Sequence, residues 1–128
     1  MDARRLMLAV SCALVLAACS GDDTGDETPG ATPPPGAAEA TFVSLDALPE
    51  EVEAAISDAA VRFGVPESEV AVAGALRVVW SDGSLGCPED GMMYTQALVD
   101  GYLLTLEVDG QRVEYHGADG DTPFLCED

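Results

Sequence analysis

The spacing of apolar residues along the chain changes character three times. Leu6 to Leu16 is a nearly unbroken apolar run, too short to cross a bilayer as a permanent helix. From Ser20 to Ala40 no apolar pattern exists at all. Between Pro49 and Phe63 the residues Val52, Ile56, Ala59 and Phe63 recur at helical spacing, with Ala55 and Ala60 flanking the stripe. Pro49 suits a first helical position, Glu50, Glu51 and Glu53 complement the positive end of the helix dipole, and Arg62 followed by Gly64 marks the other end. From Val70 the period becomes two. Val70, Val72, Gly74, Leu76, Val78 and Trp80 then share one face of a long strand, bent at Gly74.

A hairpin is expected at Asp109-Gly110, a dipeptide suited to the positive backbone angles of a two-residue turn. Pairing Val108 with Gln111 sets Leu106 opposite Val113 and Leu104 opposite Tyr115 on an apolar face. The other face then pairs Glu107 with Arg112 and Thr105 with Glu114. A further strand is expected over Met92 to Leu98, turned by Asp100-Gly101, with a short last one at Phe124 to Cys126. These elements predict an α+β domain: one N-terminal helix packed on an antiparallel sheet of about four strands, in the order α-β-β-β-β.

The chain divides accordingly into a signal segment (1–18), an acidic Pro/Gly-rich flexible tether (19–41) and a small α+β domain (42–128). The tether carries Pro29, Pro33, Pro34 and Pro35, several glycines, and acids without a base, a composition that stays extended and solvated. Arg4 and Arg5, the apolar run and Leu16-Ala17-Ala18-Cys19 together resemble the signal peptide of a bacterial lipoprotein, whose lipobox the last four residues fit throughout. An ordinary secretory signal would also accept Ala18 at its cleavage site. The lipoprotein resemblance implies a diacylglyceryl group on the Cys19 thiol, cleavage just before it, and palmitate-type acyl chains holding the protein to the cell membrane on its extracytoplasmic side. Two chains make such an anchor stable where one is marginal.

The net charge is −19, from 24 acids and five arginines with no lysine; without Asp2, Arg4 and Arg5 it becomes −20. Phosphate backbones and anionic head groups would repel such a surface, which excludes nucleic acid and peripheral docking to anionic membranes. Cations, basic proteins or cell-wall material remain as partners, and the domain is expected to be a monomer. Of the four cysteines, Cys12 leaves with the signal and Cys19 takes lipid. In an oxidising compartment this leaves one pairing, a disulfide between Cys87 and Cys126.

The segment Trp80 to Gln96 is rich in glycine and contains Cys87-Pro88. Together with Gly101-Tyr102, Glu114-Tyr115-His116 and Phe124-Leu125-Cys126 it resembles a group of small bacterial secreted or lipid-anchored proteins of unestablished function. Read physically, it is a loop pinned by Trp80 and Cys87, and pinned loops present contacts at low entropic cost. Trp80, Asp82, Ser84, Leu85, Met93, Tyr94 and Gln96 are its candidate binding residues. A structural corner, with Trp80 and the methionines in the core, is the competing reading.

Catalytic patterns are weak. His116 is the one histidine and is expected at the surface, on the face opposite the apolar one. Ser84 lacks the glycine that a nucleophile elbow needs at position 82. Glu89 and Asp90 are adjacent acids in an acidic chain, and Asp119-Gly120-Asp121 begins a calcium loop without completing it. No catalytic residue, metal ligand or cofactor is therefore assigned. The expected function is a non-enzymatic, lipid-anchored binding module using the Trp80–Gln96 loop, with a protease-inhibitor-like module or a wall-directed enzyme acting through Glu89 and Asp90 as alternatives.

Overall fold

The computed structural model describes residues 31–127. The signal segment, Cys19 and most of the tether lie outside these residues. Five strands form one antiparallel sheet in chain order: β1 (Ala37–Phe42), β2 (Ala71–Trp80), β3 (Val99–Val108), β4 (Gln111–Ala118) and β5 (Phe124–Cys126). One helix, α1 (Pro49–Phe63), connects β1 to β2 across one face. It opens with Pro49 at its first turn and ends at Gly64, whose φ of 65° is the left-handed cap that a residue without Cβ adopts freely. No helix among the described residues is long and apolar enough to cross a membrane.

The 109–110 hairpin forms in the expected register: Leu106 faces Val113, Leu104 faces Tyr115, and Glu107 faces Arg112. Asp109 and Gly110 both have positive φ, 51° and 73°. The Cys87–Cys126 disulfide also forms, with its Cα atoms 5.8 Å apart.

Four expectations are corrected. Ala37–Phe42, inside the stretch expected to remain a flexible tether up to residue 41, is an edge strand hydrogen-bonded to β2, so the helix is preceded by a strand. Small residues lack an apolar signal, yet their backbone completes a ladder. Met92 to Leu98 is not a strand, and Asp100-Gly101 is not a turn but lies within β3. Gly101 is needed there for space. A Cβ on it would run into the Gly117 carbonyl and meet the Trp80 indole nitrogen at 2.8 Å. The stripe expected on one face of β2 is divided by a bulge between Val72 and Gly74. Val70 joins the helix-side core, whereas Val78 and Trp80 point to the opposite face. His116, finally, is not a surface residue: it is 3% exposed.

The sheet is therefore covered on both sides. On the inner face Ala55 and Ala59 of α1 pack over Tyr102, Leu104, Leu106 and Tyr115. The small helix residues let α1 sit close, and the Tyr115 hydroxyl donates to the Asp58 carboxylate at 2.9 Å, tying sheet to helix. On the outer face Val78, Trp80 and Leu103 form a second, smaller cluster, against which Leu85 of the β2–β3 connection packs.

Candidate binding loop and the histidine cleft beside it

Residues 81–98 join β2 to β3 and form the cover of the outer face. Their path is fixed by local polar contacts. The Asp82 carboxylate accepts from the Ser84 N–H at 2.8 Å, an Asx turn, and its bonds to the Ser84 hydroxyl and N–H hold its carboxyl below the ordinary aspartate range. The Leu85 and Cys87 N–H groups donate to the Asp82 and Ser84 carbonyls, and Gly83 N–H to that of Thr95. Leu85 (φ 54°) and Gly86 (φ 74°) then turn the chain toward the disulfide. Further on, the Tyr94 hydroxyl accepts from the Glu89 N–H at 3.0 Å, which closes the exposed half of the loop.

Beneath this cover Trp80 is wholly buried. Its indole N–H donates to the Gly117 carbonyl at 3.1 Å, and its ring stacks on His116 with centroids 4.7 Å apart and planes 20° from parallel. His116 Nδ1 lies 2.7 Å from the Leu85 carbonyl oxygen, which only accepts, so the Nδ1–H donates to it. The fit leaves no spare volume at Gly86, where a Cβ would overlap the Trp80 ring and lie 2.8 Å from the Pro35 carbonyl oxygen. Strand β2, loop, disulfide and β4 are thus locked together through one indole and one imidazole.

The candidate residues consequently separate. Trp80 and Ser84 are buried, Leu85 is half-buried against the outer cluster, and Asp82 shapes the turn; these four hold the loop rather than present it. Met93 is 96% exposed, and Gln96 is also exposed, its side-chain amide donating to the Tyr94 carbonyl at 3.4 Å. Met92, which the sequence also offers as an interface anchor, is exposed as well, and so is Leu98, which the sequence did not single out. Glu89 and Asp90 are solvent-facing, and Asp119 pairs with Arg77. Among the described residues no group of three or more His, Cys, Asp or Glu is arranged to hold a metal ion.

Where the loop cover stops, a cleft of about 520 Å³ opens on the outer face. Thr105, Glu114 and His116 line it from the sheet, Gly86 from the cover, and Pro34 and Pro35 from the segment before β1. The remaining ring nitrogen of His116, Nε2, is buried without a hydrogen-bond partner; the nearest carboxylate oxygen, Glu114 Oε2, is 3.6 Å away, beyond hydrogen-bond length. A lone strand histidine gives no sequence signal of this. The alternation that puts it opposite Leu104 and Tyr115 does place it on the Trp80 face, once the bulge in β2 is allowed for.

Residues 52–126, from the first turns of α1 through β5, match the family described as a domain of unknown function, DUF8738. The chain belongs to this family. The DUF8738 match takes in the loop, the disulfide and the Trp80–His116 stack, whereas β1 and the cleft residues Pro34 and Pro35 precede it. No curated protein matches the chain, and no solved structure does.

Proposed function

We propose that this DUF8738 protein is a lipid-anchored, extracytoplasmic and non-enzymatic binding module, held at the membrane through Cys19 and presenting its β2–β3 loop to a protein or envelope partner. The observation that carries the reading is the exposure of Met92, Met93 and Leu98 on a connection fixed from below. Single exposed apolar residues are ordinary; three large flexible ones on one braced loop can supply interface contacts without a large ordering cost. The mature N-terminus fits the same picture, since a lipid on Cys19 with a solvated tether holds such a domain just above the bilayer.

The test has two parts on protein made in its native envelope. Mass spectrometry is expected to find acyl chains on Cys19 as the first residue. Capture of a specific envelope component is expected from the wild type and is lost in Met93→Asp, while the urea midpoint of that variant stays within a few tenths of a molar. An unlipidated N-terminus would remove the anchor, and capture unaffected by Met93→Asp would remove the loop as the binding surface.

A further inference from the structure

The cleft beside His116 borders the disulfide at Cys126. A second hollow of about 430 Å³ is lined by Gly86, Pro88, Glu89, Asp90, Cys126 and Glu127, sharing Gly86 and Cys126 with the first. Because β5 pairs Glu114 with Cys126, Glu127 is the next residue along from the point where the two meet. Glu114, Glu89, Asp90 and Glu127 thus line two adjoining hollows. Among the described residues the single cation lining them, Arg112, is already paired with Glu107 at 3.0 Å.

Acidity alone would mark only a solvated surface. His116 adds a group that has a direction. Its Nδ1–H is committed to the Leu85 carbonyl and its ring is clamped by Trp80, so in its neutral form the imidazole presents a fixed lone pair at Nε2. That atom is buried, has no donor, and faces a half-exposed carboxylate 3.6 Å away. A buried acceptor left without a donor is costly, and a ligand able to supply the donor recovers that cost. The ligand must donate to a neutral nitrogen and a carboxylate at once, and reach Nε2 by displacing the Glu114 side chain. A primary ammonium does both, with three donors and a positive charge. Its long apolar stem also suits the walls formed by Pro34, Pro35 and Gly86.

We propose that the two hollows form one groove for an extended, lysine-bearing peptide segment of a partner protein, with one lysine ammonium seated between His116 Nε2 and Glu114 and neighbouring basic residues facing Glu127, Glu89 and Asp90. This rests on the reading of the domain as a binding module and names its partner's chemistry. The net charge of the chain favours the encounter and makes it salt-dependent.

The chain has one histidine and one tryptophan, and they stack on each other, so both report from the site without ambiguity. The full chain, labelled with 15N-histidine, is titrated with trilysine amide while the Nε2 shift and Trp80 emission are followed. A saturable change at both is expected, weakened about tenfold in Glu114→Gln, whose near-UV spectrum stays that of the wild type, and absent with the Nε-acetylated peptide. No saturable change, an equal response to the acetylated peptide, or an unchanged affinity in Glu114→Gln overturns the proposal. So does a response to zinc alone with none to trilysine, which would make the pair a metal site. Met93→Asp separates the two readings: if the groove is real it keeps trilysine binding, and if only the groove fails, partner capture through Met93 persists.

Discussion

The two faces of the sheet are covered by different means. On the inner face a regular helix lays small residues, Ala55 and Ala59, over Leu104, Leu106 and the two buried tyrosines. On the outer face an irregular loop lies over Trp80, Val78 and Leu103. The helix satisfies its own backbone and needs only an apolar stripe in phase with its turn. The loop is held through individual contacts: an Asx turn at Asp82, the Leu85 carbonyl on His116, a covalent bond at Cys87, and a glycine at 86 where a Cβ would strike the indole. One cover is specified by periodicity, the other by pairwise fit.

Breaking the fastening of the outer cover tests this most strongly. Replacing Cys87 and Cys126 together by serine should lower the unfolding free energy by about 4 kcal/mol in the chain-entropy model, whose mechanism is disputed. Urea unfolding measures the loss. Hydrogen exchange in the double variant should rise first over residues 81–98 and last over α1 and β3; exchange that rises evenly would mean the two covers are not separable. Leu103 and Leu104 sharpen the contrast, because they are neighbours on β3, 2% and 0% exposed, and point to opposite faces. Leu104→Ala should cost about 4 kcal/mol and Leu103→Ala about 2, both within the usual range for buried leucine, since the smaller cluster beneath a loop can collapse onto the space. Equal losses would say that the loop packs as rigidly as the helix.

The same contrast explains what the sequence makes legible. The Asp109-Gly110 turn is legible because turn chemistry and cross-strand pairs agree in one register, and the disulfide because compartment and cysteine number leave one partner. The β2 stripe misleads because a bulge between Val72 and Gly74 resets alternation without changing the letters. Asp100-Gly101 misleads for a different reason: a glycine that makes room for a distant indole has the same signature as one that makes a turn. Ala37–Phe42 carries no apolar pattern because an edge strand contributes backbone bonds more than burial. His116 escapes because its burial depends on a loop whose course no local pattern encodes. The candidate loop is therefore visible as a segment, while its division into buried fasteners and exposed contacts is visible only in three dimensions.

Titration should separate the faces with the smallest effects. Burial, then the charges of Glu51, Asp121 and Asp119, push the Tyr102 hydroxyl on the inner face up to about 12, and burial with the Asp58 hydrogen bond raises Tyr115 as well. An unfolded tyrosine ionises near 10, so the folded state holds these protons more tightly. The Tyr102 contribution is fully present below about pH 10 and is lost as pH rises through its folded value near 12, and the Tyr115 contribution has the same sign. Asp82 on the outer cover has the opposite sign. Its carboxyl is lowered from 3.8, so its contribution is present above that value and lost as pH falls through its lower folded value. Its exposure keeps that contribution small. Tyr102→Phe should therefore flatten the alkaline limb of the stability profile and leave Trp80 emission alone. Asp82→Ala should leave the alkaline limb untouched, remove a minor part of the acid limb, and change Trp80 emission, because the turn it loosens carries Leu85 and with it the carbonyl that holds His116 against the indole. If Asp82→Ala left the emission unchanged, the Asx turn would not be what sets the loop over the stack.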